Sequence, residues 1–574
     1  MRRTASSHDA ASPRPKNEPR RTFVTGRCRP FTVTCRVTAA AVAIAALTLD
    51  PALAGPFARR RGWLDGKNRC RPAPCAPATA SATVVPTTTS PTMAEPQLAS
   101  PATLAEAARP VTPTPARLNV PPPGYTALFN GTDLTGWYGW GTQDPTDLRK
   151  MTSEERADYK RKSIAGGLVD AKGVDKGEHL AAHWRVENGE LVNDGKGLYL
   201  TTDKDYGDFD LWVDYKMLPL GDSGVYLRGI PQVQIWDYTE EKKFPLGADK
   251  GSGGLWNNKS EVGKYPSKRM DKPFGEWNTL HVRMIGERAT VSLNGEVVVD
   301  NAPLENFFAN KKAGYLAYGK PDAKAAGDAT KPPNGFMPDP AFPTGPIQLQ
   351  THGSEIRWRN VFIREIPAAE ANRELAGRNA DGFVEHVNGR DLSNWQGAVD
   401  SYEMKNGAIV CKPGKGGDLL TKEPFENGTI RVEFRLPKAG NNGIAIRTPP
   451  GGHSAADGLE LQIIDSDGYN EKQAAAGKPG LEPYQYHGSL YHCVGAKHGY
   501  LRPAGEWNFQ EIDVDGQKIR VTLNGTKILD VDIDTFDRSQ IKNPPKGLDN
   551  RSGFIGFAGH SDPVEFRSFK VRRR

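Results

Sequence analysis

The fold is decided by EWNTLHVRMIGERATVSLNGEVVVD at residues 276–300, because a closely related stretch, EWNFQEIDVDGQKIRVTLNGTKILD, returns at residues 506–530. Apolar and polar residues alternate in both stretches, which is the pattern of half-buried β-strands. An Asn-Gly pair separates two alternating runs in each, at 294–295 and 524–525. Both residue types tolerate positive φ, so the pair predicts a tight hairpin turn. Each stretch is therefore predicted to be a strand, a hairpin and a return strand.

The repeat continues in register on both sides of these stretches. The other matched blocks are GYTALFNGTDLTGW (124–137) with GFVEHVNGRDLSNW (382–395), WRVENGELV (184–192) with YEMKNGAIV (402–410), GDSGVYLRG (221–229) with GNNGIAIRT (440–448), VQIWD (233–237) with LQIID (461–465), and GPIQLQTHGSEIRWRNVFIRE (345–365) with GFIGFAGHSDPVEFRSFKVRR (553–573). Each copy spans roughly 200 residues, the size of one domain. Many short strands and few helical runs predict an all-β protein of two tandem antiparallel sandwiches. Trp277 and Trp507 are expected to be core aromatics.

Residues 1–123 are predicted to lie outside this fold. A basic segment precedes the apolar run VTAAAVAIAALTL and the small-x-small pattern Ala52-Leu53-Ala54, which predicts an export signal over residues 1–54. A gene start placed too early, or a buried helix in a disordered leader, are the alternatives. Residues 55–123 are rich in Pro, Ala and Thr and predict a disordered linker. The apolar run is too short to span a bilayer, so we expect a mature chain without a membrane span that is periplasmic, secreted or associated with the cell envelope.

Charge and cysteines exclude two classes of function. Most of the formal net charge of +7 comes from arginine clusters in the leader, without interleaved aromatics, so no nucleic-acid partner is expected. The six cysteines form no CxxC pair and no Cys-His zinc spacing. Cys28 and Cys35 belong to the leader, whereas Cys70 and Cys75 are close enough to close a small loop. Cys411 and Cys493, both in the second copy, either pair or remain free.

The first copy carries an insertion between Trp140 and Trp184. Its segment DPTDLRKMTSEERADYKRKSIAGG (144–167) has a polar, helix-favouring composition and predicts a short surface helix. This helix is interpreted either as a lid over a cleft or as a decorative loop. A second long segment, residues 313–345, is rich in Gly and Pro and is expected to be irregular.

Four ordered blocks carry a family resemblance: LFNGTDLTGW, DSGVYLRG, the EWN…LNG stretch and the closing GPIQLQTHG…WRNVFIRE. Together they resemble the domain of unknown function 1080 family, which is also described as 3-keto-disaccharide hydrolases or 3-keto-glycoside lyases and hydratases. The resemblance covers both copies and is closer for the first. It implies two concanavalin A-like jelly-roll domains, here 124–367 and 381–574, and an exported protein acting on glycosides already oxidised to the 3-ketone.

The chemistry implied by the resemblance sets requirements on the site. A ketone at C3 acidifies the C2 proton, so a base removes it, the aglycone leaves C1 by elimination, and added water completes a net hydrolysis. Such a site needs a base, a group that stabilises the enolate and an acid for the leaving oxygen. The sequence indicates no particular cofactor and leaves open whether a divalent ion assists the enolate. A noncatalytic carbohydrate-binding or adhesion protein is the main competing interpretation. An ordinary glycosidase is disfavoured because the candidate strand lacks an acid pair.

One strand of each copy supplies candidate site residues. In GLELQIID, Glu460 and Gln462 share a strand face by alternation, and a bulge after them would add Asp465. The spacing is similar to that of the catalytic strand of laminarinase-like jelly-roll glycosidases. The first copy places Gln232, Gln234 and Asp237 at the equivalent positions.

Other candidates occur at equal positions in both copies. Arg228 and Arg447 end a matched strand, where a guanidinium would hold an oxyanion or sugar hydroxyls. His352 and His560 precede the last strand and would be general acids or bases, or would satisfy a buried turn. The candidates for sugar binding are Tyr226, Trp256, Tyr491 and His492, and a core role is an open alternative for Trp256 and Tyr491. Which copy is catalytic is left open.

Overall fold

The computed structural model describes residues 117–312 and 334–574. The predicted export signal, the cleavage site at Ala54, Cys28, Cys35, Cys70 and Cys75, the linker up to residue 116 and residues 313–333 lie outside this part of the chain. The remainder folds into two tandem, mostly antiparallel β-sandwiches, which confirms the predicted all-β class.

The first sandwich packs an eight-stranded sheet against a five-stranded sheet. Its strands are β1 (Thr126–Ala127), β2 (Trp137–Trp140), β3 (Trp184–Glu187), β4 (Glu190–Asn193), β5 (Tyr199–Thr202), β6 (Phe209–Met217), β7 (Asp222–Leu227), β8 (Ile230–Trp236), β9 (Trp277–Ile285), β10 (Arg288–Leu293), β11 (Glu296–Pro303), β12 (Gln348–Leu349) and β13 (Ile356–Glu365). The large sheet has the order β11-β10-β9-β6-β13-β4-β3, with β1 on β13, and the small sheet has the order β2-β5-β12-β7-β8. Alternate side chains such as Leu211 and Val225 point inward and form one core between the sheets.

The second sandwich repeats this topology strand for strand. Its strands are β14 (Val384–Glu385), β15 (Trp395–Gly397), β16 (Tyr402–Lys405), β17 (Ala408–Cys411), β18 (Gly416–Thr421), β19 (Gly428–Arg435), β20 (Asn441–Thr448), β21 (Leu459–Ile464), β22 (Trp507–Asp515), β23 (Lys518–Leu523), β24 (Thr526–Asp532), β25 (Phe554–His560) and β26 (Glu565–Arg573). The sheets have the orders β16-β17-β26-β19-β22-β23-β24, with β14 on β26, and β15-β18-β25-β20-β21. A second, separate core fills the space between them.

Helices are short and lie on the periphery of both sandwiches. They are α1 (Pro145–Arg149), α2 (Ser153–Ala165), α3 (Leu180–His183), α4 (Phe307–Lys312), α5 (Ala368–Gly377), α6 (Ser454–Asp457) and α7 (Ser466–Ala475). Within residues 117–312 and 334–574, no helix has the length and apolar character needed to cross a lipid bilayer. In the same part of the chain, Cys411 and Cys493 are free thiols rather than a disulfide.

The predicted hairpins form at all four Asn-Gly pairs. Asn294 and Gly295 have φ of 53° and 86°, and Asn524 and Gly525 have φ of 50° and 83°; the pairs at 188–189 and 406–407 are also positive. The register pairs Leu293 with Glu296 directly across the two-residue turn. The repeated stretch at 276–300 and 506–530 therefore has a structural role, since it forms a hairpin in the large sheet of each sandwich.

The prediction that Trp277 and Trp507 are core residues is wrong. Both are half-buried on the outer face of the large sheet, where cationic side chains cover their rings. The Arg359 guanidinium lies 4.0 Å from the Trp277 ring centre, and Arg567 lies 4.3 Å from that of Trp507. Alternation explains the error, because the inward positions of β9 are taken by Leu280 and its alternate neighbours.

The insertion in the first copy is helical, as predicted, and rests on the edge of the small sheet. Thr152 and Glu155 form a capping box at the start of α2. Tyr159 then packs edge-on against Trp140 of β2, with ring centres 5.0 Å apart, and Lys160 lies over the ring of Tyr138. The helix thus covers one end of the outer face of that sheet.

Residues 117–123, at the end of the predicted linker, include Asn119, which contacts the first sandwich. Asn119 and Asn360 exchange two hydrogen bonds of 2.9 Å, each from a backbone N–H to the other's Oδ1. The Asn119 amide also donates to the Gly189 carbonyl at 2.7 Å. These polar contacts fix the chain where it enters the fold, despite its proline-rich composition.

Helix α5 joins the two sandwiches. Arg283 of the first sandwich donates to Glu374 at 2.8 Å, and Asn372 donates to the Trp507 carbonyl of the second sandwich at 3.2 Å. A small apolar cluster lies beneath the helix and consists of Ile285, Ile366, Ala371, Leu375 and Phe509. The connection is therefore a packed seam rather than a free tether.

Candidate functional site

The two sheets of each sandwich differ in what they present on their outer faces. Charged side chains on the large sheets pair with one another, as Arg359 does with Asp214 and Arg567 with Glu433. The small sheets instead carry buried side-chain oxygens that have no hydrogen-bond partner within residues 117–312 and 334–574: Gln348 Oε1, Gln350 Oε1, Glu460 Oε2 and Gln462 Oε1. A buried polar atom without a partner costs free energy and calls for a specific explanation. Ligand binding on the outer face of the small sheet supplies one.

In the first copy, Asp222 is the centre of a polar network on this face. Its Oδ1 accepts from Gln234 Nε2 at 2.8 Å, and its Oδ2 lies 3.0 Å from Lys243 Nζ and 3.2 Å from His352 Nδ1. Gln232 donates in turn to Gln234. Burial raises the pKa of the Asp222 carboxyl, but the hydrogen bonds from His352 and Lys243 outweigh burial and hold this pKa below its usual range. Every oxygen of Asp222 is therefore engaged.

The same face continues across β12 and β5 as a row of hydrogen-bond acceptors beside two tyrosines. Gln350 donates to the Tyr199 hydroxyl at 3.3 Å, and this hydroxyl also contacts Thr142 of the insertion at 2.6 Å. The rings of Tyr199 and Tyr226 lie 5.3 Å apart. Among the described residues, the buried amide oxygens of Gln348 and Gln350 have no hydrogen-bond partner.

Trp256 borders the first-copy face from the loop that follows β8. It packs edge-on against Trp236, with ring centres 6.1 Å apart, and donates its indole N–H to the Leu246 carbonyl at 3.0 Å. Its half-buried ring is available as a platform and also supports the loop. Both interpretations made from the sequence therefore stay open for this residue.

In the second copy, a carboxylate and a histidine meet on the equivalent face. The side chain of Glu460 is 0% exposed, and its Oε1 lies 3.3 Å from His560 Nε2. Its Oε2 has no hydrogen-bond partner in the part of the chain that the structure describes. A Cβ on Gly443 would lie 2.2 Å from Glu460 Oε1, so only glycine lets the carboxylate lie across β20. The hydrogen bond to Glu460 outweighs burial and raises the pKa of His560 above its ordinary value. Gln462 lies on the same strand face.

An aromatic cluster stands beside this pair. The Tyr491 backbone N–H donates to the Glu460 carbonyl at 2.9 Å, which fixes the cluster next to the carboxylate. The rings of Tyr491 and His492 are 4.1 Å apart, and Tyr484 lies 5.5 Å from His492. The structure thus brings the two predicted platform residues to Glu460 and adds Tyr484, which has no counterpart in the sequence prediction.

The structure does not bring Arg228 and Arg447 to either face. Arg228 follows β7 at the end opposite Asp222, and the six residues of that strand span roughly 20 Å. Its guanidinium is buried and donates to the carbonyls of Gly207 and Phe342, both at 2.9 Å. Arg447 is 0% exposed and is bound in the same way, to backbone carbonyls of its own sandwich. Both arginines also have positive φ. The contacts that they share therefore stabilise the fold of each sandwich.

The aspartates common to both copies are also structural, contrary to the prediction of a bulge. The pairing of β20 with β21 runs regularly from Asn441–Ile464 to Ile446–Leu459, so the described strand pair contains no bulge that would turn Asp465 onto the face. Instead, Asp465 Oδ2 accepts from the Ala439 N–H at 2.8 Å, as Asp237 Oδ2 does from the Leu220 N–H at 2.7 Å. Ala439 and Leu220 have φ of 57° and 65°. Each aspartate stabilises a left-handed residue just ahead of a strand of the small sheet, Leu220 ahead of β7 and Ala439 ahead of β20.

This structural role predicts a stability effect. Asp465 also caps α7 by accepting from the Gly468 N–H at 3.2 Å, so Asp465→Ala removes a cap and a turn contact and should destabilise the second sandwich by about 1–3 kcal/mol. Asp467→Ala removes a carboxylate from the same helical turn without these contacts and should cost less than about 1 kcal/mol. Urea denaturation of both variants measures the difference. Equal losses of stability would contradict the assignment.

Several residues of the two faces have no counterpart in the sequence prediction: Asp222, Lys243, Tyr199, Gln348 and Gln350. Alternation in PIQLQ could have identified the two glutamines. Lys243 contacts Asp222 because the loop after β8 folds back over that strand. No local sequence pattern predicts this contact. In residues 117–312 and 334–574, no three His, Cys, Asp or Glu side chains are grouped as metal ligands.

Comparison with known proteins gives one curated relative and a set of solved structures. A 3-keto-disaccharide hydrolase from Bacteroides thetaiotaomicron is 24% identical over 251 residues, which are 37% of this chain and 85% of that protein. A Parabacteroides distasonis protein, provisionally assigned as a glycosyl hydrolase, is 23% identical at a TM-score of 0.31, covering 34% of this chain and 95% of its own. A carbohydrate-binding module from Bacillus subtilis is 9% identical at a TM-score of 0.21, covering 33% and 95%. The fold assignment itself rests on the sheet topology.

Both sandwiches also match one protein family along nearly their whole length. The matched residues are 124–364 and 382–572, so each copy is a separate match. Together they make up most of the chain, and each includes one of the two polar faces. The chain therefore belongs to the family of the 3-keto-alpha-glucoside-1,2-lyase-like domain, present here in two tandem copies.

Proposed function

We propose that this protein cleaves 3-keto-glycosides, including 3-keto-disaccharides, by deprotonation at C2, elimination of the aglycone and addition of water. The observation that carries the proposal is a carboxylate–histidine pair on the outer face of both small sheets. The histidines, His352 and His560, are equivalent, but the carboxylates come from different strands, Asp222 from β7 and Glu460 from β21. A pair assembled twice from different positions points to proton chemistry rather than to a need of the scaffold.

The two pairs are suited to different tasks. Asp222 accepts three hydrogen bonds, and its pKa is lowered, so it is a poor base. Glu460 Oε2 has no hydrogen-bond partner among the described residues, so this oxygen is the candidate to accept a proton from carbon. We therefore assign the chemical step to the second copy. The first copy, with its row of free amide acceptors, is assigned to carbohydrate binding.

The second-copy residues supply each step of the reaction. Glu460 takes the C2 proton, and Gln462, on the same face, offers an amide donor to the enolate oxygen. The protonated His560 imidazole gives its proton to the glycosidic oxygen as the C1–O bond breaks. Water then adds its hydroxyl to C1 while C2 regains a proton, which yields the free 3-keto sugar. The aromatic cluster of Tyr484, Tyr491 and His492 provides faces for stacking on a sugar ring.

The role of His560 predicts where kcat/KM falls on the alkaline side of a pH profile. The acid must be protonated, and because the pKa of His560 is raised above its ordinary value of 6.5, activity should persist above pH 6.5 and fall only as pH rises through the raised pKa. Rates measured over a range of pH with one 3-keto-disaccharide test this. An alkaline limb at or below pH 6.5 would contradict the role of His560.

The activity itself is tested with a 3-keto-disaccharide and its unoxidised parent. The mature chain should release free sugar from the keto compound and none from the parent. Release from the parent alone would indicate an ordinary glycosidase. Binding of either sugar without release from either would support the alternative, a noncatalytic carbohydrate-binding protein, which the aromatic cluster beside Glu460 also fits.

Export is a further part of the proposal. It is supported by the order of basic, apolar and small residues over 1–54. Expression of the full chain followed by N-terminal sequencing of the extracytoplasmic fraction tests it, and a protein that stays inside the cell with an intact leader would argue against it.

A further inference from the structure

A segment of the first copy, residues 334–341, crosses onto the second sandwich and is here called the strap. Its last residue, Ala341, is part of the hydrophobic core of the first sandwich. At its other end, the Asn334 side-chain amide donates to the Asp537 carbonyl at 2.9 Å and accepts from the Asp537 N–H at 2.8 Å. Asp537 belongs to the second copy, so the strap is held by both sandwiches.

Between these anchors, the strap packs closely on the second sandwich. Gly335 has φ of 64°, and a Cβ at this position would lie 2.5 Å from Val494 Cγ1 and 2.8 Å from Val531 Cγ1. A side chain here would therefore push both valines aside, in a backbone conformation that strains residues other than glycine. Further along the strap, Asp339 pairs with Lys497 at 2.7 Å. The contact is thus fitted to glycine at its closest point.

Val494 closes the turn that carries two rings of the aromatic cluster. Its N–H donates to the Leu490 carbonyl at 3.0 Å, so residues 490–494 form a tight turn. Within the turn, His492 has φ of 63°. Such a conformation costs free energy in a residue other than glycine and persists only where surrounding contacts hold it. Displacement of Val494 is therefore expected to move the rings of Tyr491 and His492.

The first copy uses a residue of its own at the comparable place. Leu255 and Leu490 are equivalent, since each bridges the aligned residue of β8 or β21. The Leu255 N–H donates to the Gly263 carbonyl at 2.8 Å, and a Cβ on Gly263 would lie 2.5 Å from Ala302 Cβ of the edge strand β11. The second-copy turn is shorter, and the glycine against its edge strand β24 is Gly335. The second copy thus relies on the first at this point.

We infer that the strap is a positioning segment through which the first copy fixes the aromatic cluster of the second copy. The inference rests on the proposed function, because that function places the cluster beside the groups that cleave the sugar. The rings of Tyr491 and His492 would bind the sugar, whereas Glu460 and His560 would move protons. Disturbing the strap should therefore raise KM and leave kcat nearly unchanged.

Gly335→Ala tests the strap by pressing on Val494. The matched control is Gly505→Ala, where φ is 91° and a Cβ would meet no atom of the described residues within 4 Å. Both variants place alanine in a left-handed conformation, but only the first adds a clash. We expect G335A to raise KM for a 3-keto-disaccharide at least fivefold with kcat within twofold of wild type, and G505A to change neither. A wild-type KM in G335A, or a loss confined to kcat, would overturn the inference.

Asn334→Ala releases the strap without adding atoms, so it decides the matter even if G335A does not fold. Its control is Asn394→Ala, because Asn394 is an exposed asparagine that donates to the His386 carbonyl at 3.1 Å. We expect N334A to raise KM at least twofold and N394A to leave it unchanged. Equal KM values in N334A and N394A would contradict a positioning role.

Hydrogen–deuterium exchange separates this inference from the proposed function, since it reports opening of the turn whether or not the chain cleaves a sugar. The amides of Cys493 and Val494 should exchange at least fivefold faster in G335A than in wild type or G505A, with the hairpin at 406–407 unchanged. If wild type cleaves no 3-keto-glycoside but this difference is found, the proposed function fails and the positioning of the cluster stands. Equal exchange at 490–494 in all three proteins would refute the strap whatever the activity.

Discussion

His560→Gln is expected to lower kcat/KM for a 3-keto-disaccharide by about 10²–10⁴-fold, the usual contribution of a general acid. Glutamine keeps a side-chain amide close to Glu460 but cannot release a proton to the leaving oxygen. Glu460→Gln removes the base and should cause a loss of the same order. Both substitutions affect one pair, so the losses should not add in the double variant. Initial rates of aglycone release at fixed pH measure all three.

The matched control is His352→Gln in the first copy. It makes the same exchange at the aligned position of the first copy, three residues after β12 and beside the same kind of face, so the variant controls for the exchange itself. We expect H352Q to keep kcat within a few-fold of wild type and to raise KM if the first copy binds the sugar. A loss of kcat confined to H352Q would reverse the assignment of the two copies. Unchanged rates in both variants would refute the role of the histidines.

The sequence predicted the scaffold well because the scaffold is local and repeated. Alternation and Asn-Gly turns specify strands and hairpins from neighbouring residues alone. Alternation also placed Gln232 and Gln234 together, and Glu460 with Gln462, since positions two apart in a strand must share a face. Each pair does share a face, the outer face of its small sheet, since its members are not part of the hydrophobic cores of the described residues.

Agreement between the two copies predicted the site less well than it predicted the scaffold. Positions that agree between the copies include Arg228 with Arg447 and Asp237 with Asp465, and these turn out to hold backbone carbonyls and left-handed turns. Each sandwich of this topology needs such contacts in order to fold. Agreement between the duplicated domains therefore identifies residues that stabilise the fold. The carboxylates of the two pairs lie where the copies differ.

Contacts made by loops that fold back onto the sheets could not be predicted from the sequence. Lys243 reaches Asp222 across 21 positions, through a loop with no periodic pattern. The free state of Cys411 and Cys493 likewise depends on how distant segments pack. Residue type and spacing carry no signal for such packing.

Arg447→Ala should be the most destabilising substitution of those considered, and it should act through folding. The guanidinium donates to the carbonyls of Glu426 and Gly516 and to Gln517 Oε1 at 2.6–2.7 Å, all within the buried end of the second sandwich. Truncation leaves these acceptors without donors and opens a cavity. The expected cost is about 3–5 kcal/mol, by analogy with broken buried ion pairs. For a domain of this size that corresponds to a fall in Tm on the order of 10 °C.

Calorimetry of R447A against Arg551→Ala separates a structural role from a catalytic one. Arg551 has a side chain 55% exposed and pairs with Asp534 at 3.1 Å on the surface, so its removal should change Tm by little. If Arg447 stabilises the fold, R447A lowers the Tm of the second sandwich. The protein that remains folded at low temperature then retains the wild-type kcat. If instead R447A melts with wild-type stability but has lost turnover, the guanidinium contributes to catalysis after all, and the oxyanion role inferred from its repeated position would be restored. The two outcomes are exclusive because a side chain that engages only backbone and amide oxygens of its own domain cannot leave the fold intact when it is removed.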